Sequence, residues 1–344
     1  MVLFQCDYTE GAHPKLMQRL METNMEQWVG YGEDAYCLSA ADKIRDLCED
    51  KHLAVHFLVG GTQTNMTVID AALRSHQGVI CADTGHINVH ETGAVESCGH
   101  KVLPLPGENG KITAAQVEEA YLAHKHNDSF EHMVQPKMVY ISNPTELGTI
   151  YTKAELTALY QTCSRHGLYL FMDGARLGYG LMAPDNDLTL ADIAANTDVF
   201  YIGGTKVGAL FGEAVVIRNE SLKEDFRYIM KQKGGMLAKG RLLGVQFDTL
   251  FTDGLYFQIA GHAIKMAEKL RSAFEAKGYE LVAPNHTNQI FVEIPDGHLE
   301  QIQKEFGYCY DHRSDEKHSV VRFCTSWATR EEQVDALIQL IHCI

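Results

Sequence analysis

The chain has no excess of positive charge, no cysteine pair in C-x-x-C spacing and no long uncharged apolar run. Each absence removes a class of function. Thirty Lys and Arg stand against 45 Asp and Glu, a formal net charge of −15. That balance argues against nucleic acid and against anionic membrane as partners, while leaving room for a local cationic pocket. The nine cysteines, an odd number, run from Cys6 to Cys343 with no paired motif. This is the pattern of reduced thiols and not of a disulfide framework or a structural zinc site, so a cytoplasmic location is expected. The first residues, Met1 to Asp7, lack a basic segment ahead of an apolar run, so no secretory leader is expected. No stretch reaches membrane-spanning length without charges. Internal repeats are absent as well.

What is present points to a large α/β protein. The 344 residues are 45% hydrophobic and 22% charged, ordinary for a globular chain with a core that needs neither disulfides nor metal. From Leu53 onward short apolar runs alternate with helical periodicity. Strands are predicted over 53–59, 79–82, 101–105, 137–142, 168–172, 198–202 and 212–217, and helices over 62–75, 113–123 and 152–166. Such alternation predicts a mostly parallel sheet covered on both faces. Ahead of it, Pro14 starts a helix predicted to reach about Val29, and Ser39 is the expected cap of a second helix through Cys48. Behind it, strands over 289–293 and 319–323 and a terminal helix from Thr329 predict a smaller α+β unit. The implied division is an N-terminal arm with helices over 1–50, a large domain over 51–240 and a small C-terminal domain over 241–344.

Three stretches carry chemistry. In Phe200-Tyr-Ile-Gly-Gly-Thr-Lys-Val-Gly-Ala-Leu210 a buried strand ends in two glycines and delivers Lys206 among Ile202, Val207 and Leu210. Desolvation lowers a lysine's pKa and makes it an amine nucleophile, suited to a Schiff base with an aldehyde such as pyridoxal 5'-phosphate (PLP). Alone, such a lysine more often ends a strand with its head in solvent. In Tyr169-Leu-Phe-Met-Asp-Gly-Ala-Arg176, Asp173 stands at the carboxyl end of a strand, where α/β sheets hold ligands. It could pair with a pyridine nitrogen or merely cap a helix. The run 53–59 ends in Gly60-Gly61-Thr62 before a helix; those amide groups and the Thr62 hydroxyl suit a phosphate. The spacing is neither a Walker loop nor G-x-G-x-x-G.

Taken together these motifs resemble the threonine aldolases, in the β-eliminating lyase group of fold-type I PLP enzymes. The resemblance runs through Tyr31-Gly-Glu-Asp34, Gly60-Gly-Thr62, Asp83-Thr-Gly-His86, Thr145-Glu-Leu-Gly-Thr149, Asp173-Gly-Ala-Arg176, Gly203-Gly-Thr-Lys206 and Val321-Arg-Phe-Cys-Thr-Ser-Trp327. It implies an aminotransferase-like large domain with a smaller C-terminal α+β domain, and cleavage of L-threonine or L-allo-threonine to glycine and an aldehyde. It also implies that Lys206 binds PLP, that Asp173 faces the ring nitrogen, and that His86 lies flat on the ring and is a candidate base. Gly61, Thr62 and Lys239 would serve the phosphate. Arg322, with Arg176, would hold the substrate carboxylate; an arginine within so apolar a strand needs an anionic partner in any case, substrate or internal carboxylate. Tyr31 belongs to a loop that in the family reaches a neighbouring subunit's site, so a homodimer or homotetramer is implied. Cys6 occupies the position of a family serine that helps hold the carboxylate. Where some members place a histidine, this chain has Thr145-Glu146, either of which could face the substrate hydroxyl or cap the helix near Thr152. Two other readings stand beside this one. The same constellation could perform β-elimination or aminotransfer, and His86, His90 and Glu91 on one helical face could hold the metal of a hydrolase, although the spacing matches neither H-E-x-x-H nor H-x-x-E-H.

Overall fold

A computed structural model describes residues 1–344. Its strands are β1 (Val2–Leu3), β2 (Ala54–Leu58), β3 (Gln77–Ala82), β4 (Lys101–Leu105), β5 (Gln135–Ser142), β6 (Tyr169–Asp173), β7 (Val199–Gly203) and β8 (Glu213–Ile217). These are followed by β9 (Glu280–Leu281), β10 (Gln289–Pro295), β11 (Phe306–Gly307), β12 (Cys309–Arg313) and β13 (His318–Cys324). Seven form one sheet in the order β2-β8-β7-β6-β5-β3-β4. β3 to β7 pair in parallel, while β8 runs antiparallel to both β7 and β2.

Central strands read as unbroken apolar runs because both faces are covered. Alternate residues go to opposite cores. Val139, Ile141, Leu170, Met172, Phe200 and Ile202 join one cluster, and Met138, Tyr140, Phe171, Val199 and Tyr201 the other. Asp173 therefore ends β6 on the same face as Tyr140 and Tyr201, one alternation past Phe171.

The C-terminal sheet, β12-β13-β10-β9, packs with the 23-residue helix Leu255–Lys277 and the helix Glu331–Cys343 around a third core. Phe4 belongs to that core, and β1 pairs in parallel with β11, so the first residues are built into the C-terminal half.

Two helices in the N-terminal region differ from expectation. The first, α1 (Pro14–Glu22), ends seven residues short of Val29. Thr23 stops it by turning both its N–H and its hydroxyl onto the Arg19 carbonyl. The second, α2, spans Ala35–Leu47 and is capped by Asp34, whose Oδ1 accepts from the N–H groups of Tyr36 and Cys37 at 3.0 Å. Ser39 lies inside α2 and donates instead to Asp248 Oδ1 at 2.6 Å. That bond helps seat α2 on the helix Arg241–Leu250, where Gly244 is required: a Cβ there would stand 2.5 Å from Cys37 N. No helix is long and apolar enough to cross a membrane.

Candidate active site

The carboxyl ends of β5, β6 and β7 meet the start of α3 (Gly61–Ala72) and the turn into α4 (His86–Val89) around a cleft of about 320 Å³. Gly61, Thr62, His86, Asp173, Arg176 and Lys206 all line it. Two glycines bring the last three together. A Cβ on Gly174 would overlap the Tyr201 carbonyl oxygen, and one on Gly203 the Ala175 carbonyl oxygen. The segments leaving β6 and β7 thus cross in contact, and their side chains enter one cavity.

Asp173 is buried and accepts from Tyr201 Oη (2.5 Å), Tyr140 Oη (2.6 Å), Ala175 N (2.9 Å) and Asn65 Nδ2 (3.0 Å). Burial alone would raise its pKa; the His86 ring and these donors overcome that and hold the carboxyl below its usual range. The acid is no helix cap, and no Lys or Arg pairs with it. It is a buried anion stabilised at hydrogen-bond distance by neutral dipoles alone.

Lys206 follows Gly204-Thr205 and is fixed through its backbone, whose carbonyl accepts from Tyr179 Oη at 2.5 Å. Burial, then the charge of Arg176, lowers the ammonium's pKa against the opposing pull of Asp7, Asp173 and Glu213. Glu213, at the start of β8, shares the cleft and accepts from Gly204 N at 3.1 Å; burial pushes it up to about 8.

His86 stands at the N-terminus of α4, its ring partly open to the cleft. Nδ1 is 2.7 Å from Glu91 Oε1, which also accepts from Asn65 Nδ2 at 2.8 Å. Burial would lower the imidazole pKa, but the Glu91 bond and the charges of Asp173 and Glu91 raise it. A line of hydrogen bonds therefore runs from His86 through Glu91 and Asn65 to Asp173. The metal reading of this stretch fails. α4 is a single turn, Glu91 is buried against His86 and Asn65, His90 is exposed, and the donor atoms of the three do not converge.

Arg176 is bound side-on to Asp7, Nε to Oδ2 at 2.7 Å and Nη2 to Oδ1 at 3.0 Å, while Asn288 Nδ2 donates to the same carboxylate at 2.8 Å. Burial would raise the Asp7 carboxyl, but Arg176 and Lys206 hold it low. The pairing leaves Nη1 of Arg176 free of protein acceptors in the cleft. Arg322, in β13, has no carboxylate partner, so the internal salt bridge does not form. It donates to Gln289 Oε1 (3.0 Å) and to the Gln5 carbonyl (3.2 Å), and its Nε is buried without an acceptor.

Four of the expected residues do not line the cleft: Cys6, Tyr31, Lys239 and Arg322. Cys6 and Arg322 lie on the segments beside Asp7 and Tyr8. Tyr31 and Lys239 are exposed, Tyr31 with a left-handed φ of 64° and the Lys231 ammonium 4.8 Å from its ring centre. Thr145 and Glu146 both line the cavity, Thr145 with its Oγ1 tied to Thr149 Oγ1 at 2.7 Å; the helix Lys153–His166 is capped by Thr152 itself.

Comparison with known proteins decides what kind of site this is. Residues 4–296 match the family model described as beta-eliminating lyase. The chain belongs to the beta-eliminating lyase family. It is 33% identical over 347 residues to a low specificity L-threonine aldolase of a Pseudomonas species, covering 99% of this chain and 97% of that one. A low specificity L-threonine aldolase of Saccharomyces cerevisiae is 24% identical over 80% of this chain and 70% of its own length. Among solved structures, Leishmania major threonine aldolase superposes with a TM-score of 0.97 at 44% identity, over 100% of this chain and 99% of that one. Thermus thermophilus aspartate aminotransferase has the same fold, with a TM-score of 0.72 at 14% identity over 99% of this chain and 90% of that one.

The architecture of this family member is that of fold-type I PLP enzymes, and it is a PLP-dependent lyase. Its residues fit the cofactor. The α3 N-terminus carries no side-chain cap on Gly60, so its first amide groups can serve a phosphate. Gly61 has no room for a side chain without crowding: a Cβ would lie 3.2 Å from Tyr201 Oη. Beyond that cradle wait the desolvated amine of Lys206 and the buried anion of Asp173.

Proposed function

We propose that this lyase is a threonine aldolase. It cleaves L-threonine, L-allo-threonine and related β-hydroxy-α-amino acids between Cα and Cβ, releasing glycine and an aldehyde. The observation that carries this reading is the placement of Lys206 and Asp173 in one cleft, with the amine's pKa lowered and the acid ionised and lacking a Lys or Arg counter-ion. The printed names of the most similar relatives support the choice of substrate.

In this reading the Lys206 amine would hold the cofactor and the Asp173 carboxylate would keep a proton on its ring nitrogen. His86 would lie against the ring, and Gly61 and Thr62 would bind the phosphate. Bound there, PLP supplies the electron sink that makes breaking a bond at Cα feasible. The protein's own task is orientation. Arg322, with its unpaired Nε, and Arg176, with its free Nη1, take the substrate carboxylate beside Cys6, which selects the Cα bond that is cleaved. Tyr31 and Lys239, exposed in one chain, complete the site of a second copy in a homodimer or homotetramer, with Lys239 serving the phosphate. Residues 51–240 act as the cofactor-binding domain, 241–344 as the small domain and 1–50 as the arm. Nine free thiols suit a cytoplasmic enzyme.

The test is the absorption spectrum of purified protein followed by product analysis with L-threonine and L-allo-threonine. Glycine plus an aldehyde is expected; ammonia plus a keto acid would mark β-elimination instead. Lys206→Ala should abolish both turnover and the visible band, and a retained band would refute the lysine's role.

A further inference from the structure

Sequence left open whether Thr145, Glu146 or His86 meets the substrate's β-hydroxyl, and the side-chain geometry separates them. We propose that Glu146 is the catalytic residue that takes the β-hydroxyl proton, through its second oxygen, Oε2. This deepens the aldolase reading and rests on it.

Glu146 Oε1 is fully engaged. It accepts from Ser142 Oγ at 2.6 Å and from the backbone N–H of His86 at 2.9 Å, and these two neutral donors fix the plane of the carboxylate. No side-chain donor reaches Oε2, yet it is not among the enclosed atoms that lack a partner, so it opens into the cleft that Glu146 lines. The backbone beneath is equally constrained. Thr145 and Thr149 are joined by their hydroxyls and by the Thr145 N–H on the Thr149 carbonyl at 2.8 Å, and Asn143 Oδ1 accepts from Tyr151 N at 3.0 Å. The result is a preorganised acceptor on rigid supports, with one oxygen held and one offered.

Both rivals are committed elsewhere. Thr145 Oγ1 is consumed by Thr149, its residue only 1% exposed. His86 has Nδ1 on Glu91, and that bond, with the charges of Asp173 and Glu91, outweighs burial and raises the imidazole's pKa, which favours its donating form over its accepting one. Glu146 has no cation in hydrogen-bond contact. His86 and Cys81 face it from the β3–α4 side, Tyr140 and Ser142 from β5, Asp173 from β6, and Tyr151 from beyond its own loop. Burial raises its carboxyl above the ordinary value, against the Ser142 hydrogen bond, which makes the carboxylate a stronger proton acceptor than one in water.

In the step itself the hydroxyl O–H bond breaks and its proton passes to Oε2. The oxygen's electron pair forms the C=O bond of the departing aldehyde, the Cα–Cβ bond breaks, and its pair stays with the α-carbon, for which bound PLP would supply the electron sink. Glu146 then returns its proton to the water of the cleft. Protonation of the α-carbon to glycine is a separate event.

That separation gives the experiment. Cofactor-loaded wild type and Glu146→Gln are compared in three measurements: L-threonine cleavage, exchange of the glycine α-proton in D2O followed by NMR, and glycine binding followed by the visible spectrum. Cleavage should fall about 100-fold or more. Glycine has no hydroxyl, so its exchange should stay within about threefold and its binding unchanged, which also shows that the variant folds and loads. Equal losses in cleavage and exchange, or loss in neither, would overturn the assignment. A wild type that leaves L-threonine intact, or releases ammonia from it, would instead refute the aldolase reading beneath it.

Discussion

Replacing Asp7 by Ala should destabilise the cofactor-free protein by about 3–5 kcal/mol, the usual consequence of removing one partner from a buried ion pair. Asp7 is fully enclosed and the Arg176 side chain is only 13% exposed, so water from the cleft replaces little of the lost carboxylate. The two Arg176 hydrogen bonds, at 2.7 and 3.0 Å, and the Asn288 bond all disappear together. Asp7→Asn keeps the shape and one acceptor, and should cost about half as much. The pH dependence has a definite sign. Arg176 and Lys206 hold the Asp7 carboxyl below its ordinary value of 3.8, overcoming burial. Its contribution is therefore fully present above that value and is lost as the pH falls through the folded-state pKa. Urea unfolding of wild type and both variants, at neutral pH and in steps down to about pH 3, would measure this. The gap between wild type and Asp7→Asn should narrow below about pH 4. A difference under about 0.5 kcal/mol for Asp7→Ala at neutral pH, or a gap indifferent to acid, would show that the pair does not hold Arg176.

Two further outcomes are expected. Glu213 has the opposite sign. Burial pushes its folded-state carboxyl from 4.5 up to about 8, so its stabilising proton is present below 4.5 and is lost as the pH rises through 8. Cofactor-free Glu213→Gln should melt with a flatter pH dependence between 5 and 9, and parallel curves would refute it. If Tyr31 and Lys239 serve a second copy's site, mixing inactive Lys206→Ala with a Tyr31→Ala, Lys239→Ala double variant should restore aldehyde release. Mixtures no more active than their components would place both residues outside a shared site.

The sheet was legible because its physics is local. Runs such as 168–172 and 198–202 are apolar on both faces, and only a covered, mostly parallel sheet buries them. Lys206, Asp173 and His86 were legible because each stands at or beyond the carboxyl end of a strand and enters the same crevice. Less was visible where the cause lies far along the chain. Tyr140 and Tyr201 looked like ordinary core residues; only the register of β5, β6 and β7 turns both hydroxyls onto Asp173. Asn65 and Glu91, 26 positions apart, form the relay from His86 to Asp173. Glu213 was hidden inside an apolar strand reading. Helix ends were misjudged where side chains competed for the backbone, as Thr23 does for the Arg19 carbonyl and Asp34 does ahead of Ser39.

The union of β1 with β11 has a consequence for how the molecule is made. Phe4 gives its carbonyl to Cys324 N and its N–H to the Gly307 carbonyl, both at 2.7 Å, and Asp7 directly behind it supplies the counter-charge of Arg176. A ribosome delivers residues 306–324 some three hundred positions after residues 4–7. The opening segment must therefore wait, solvated, until synthesis is almost over, and Arg176 waits with it. Catalytic competence arrives with the last strands to emerge, so a nascent chain stalled anywhere short of them would hold a nearly finished sheet around an arginine with no carboxylate to face.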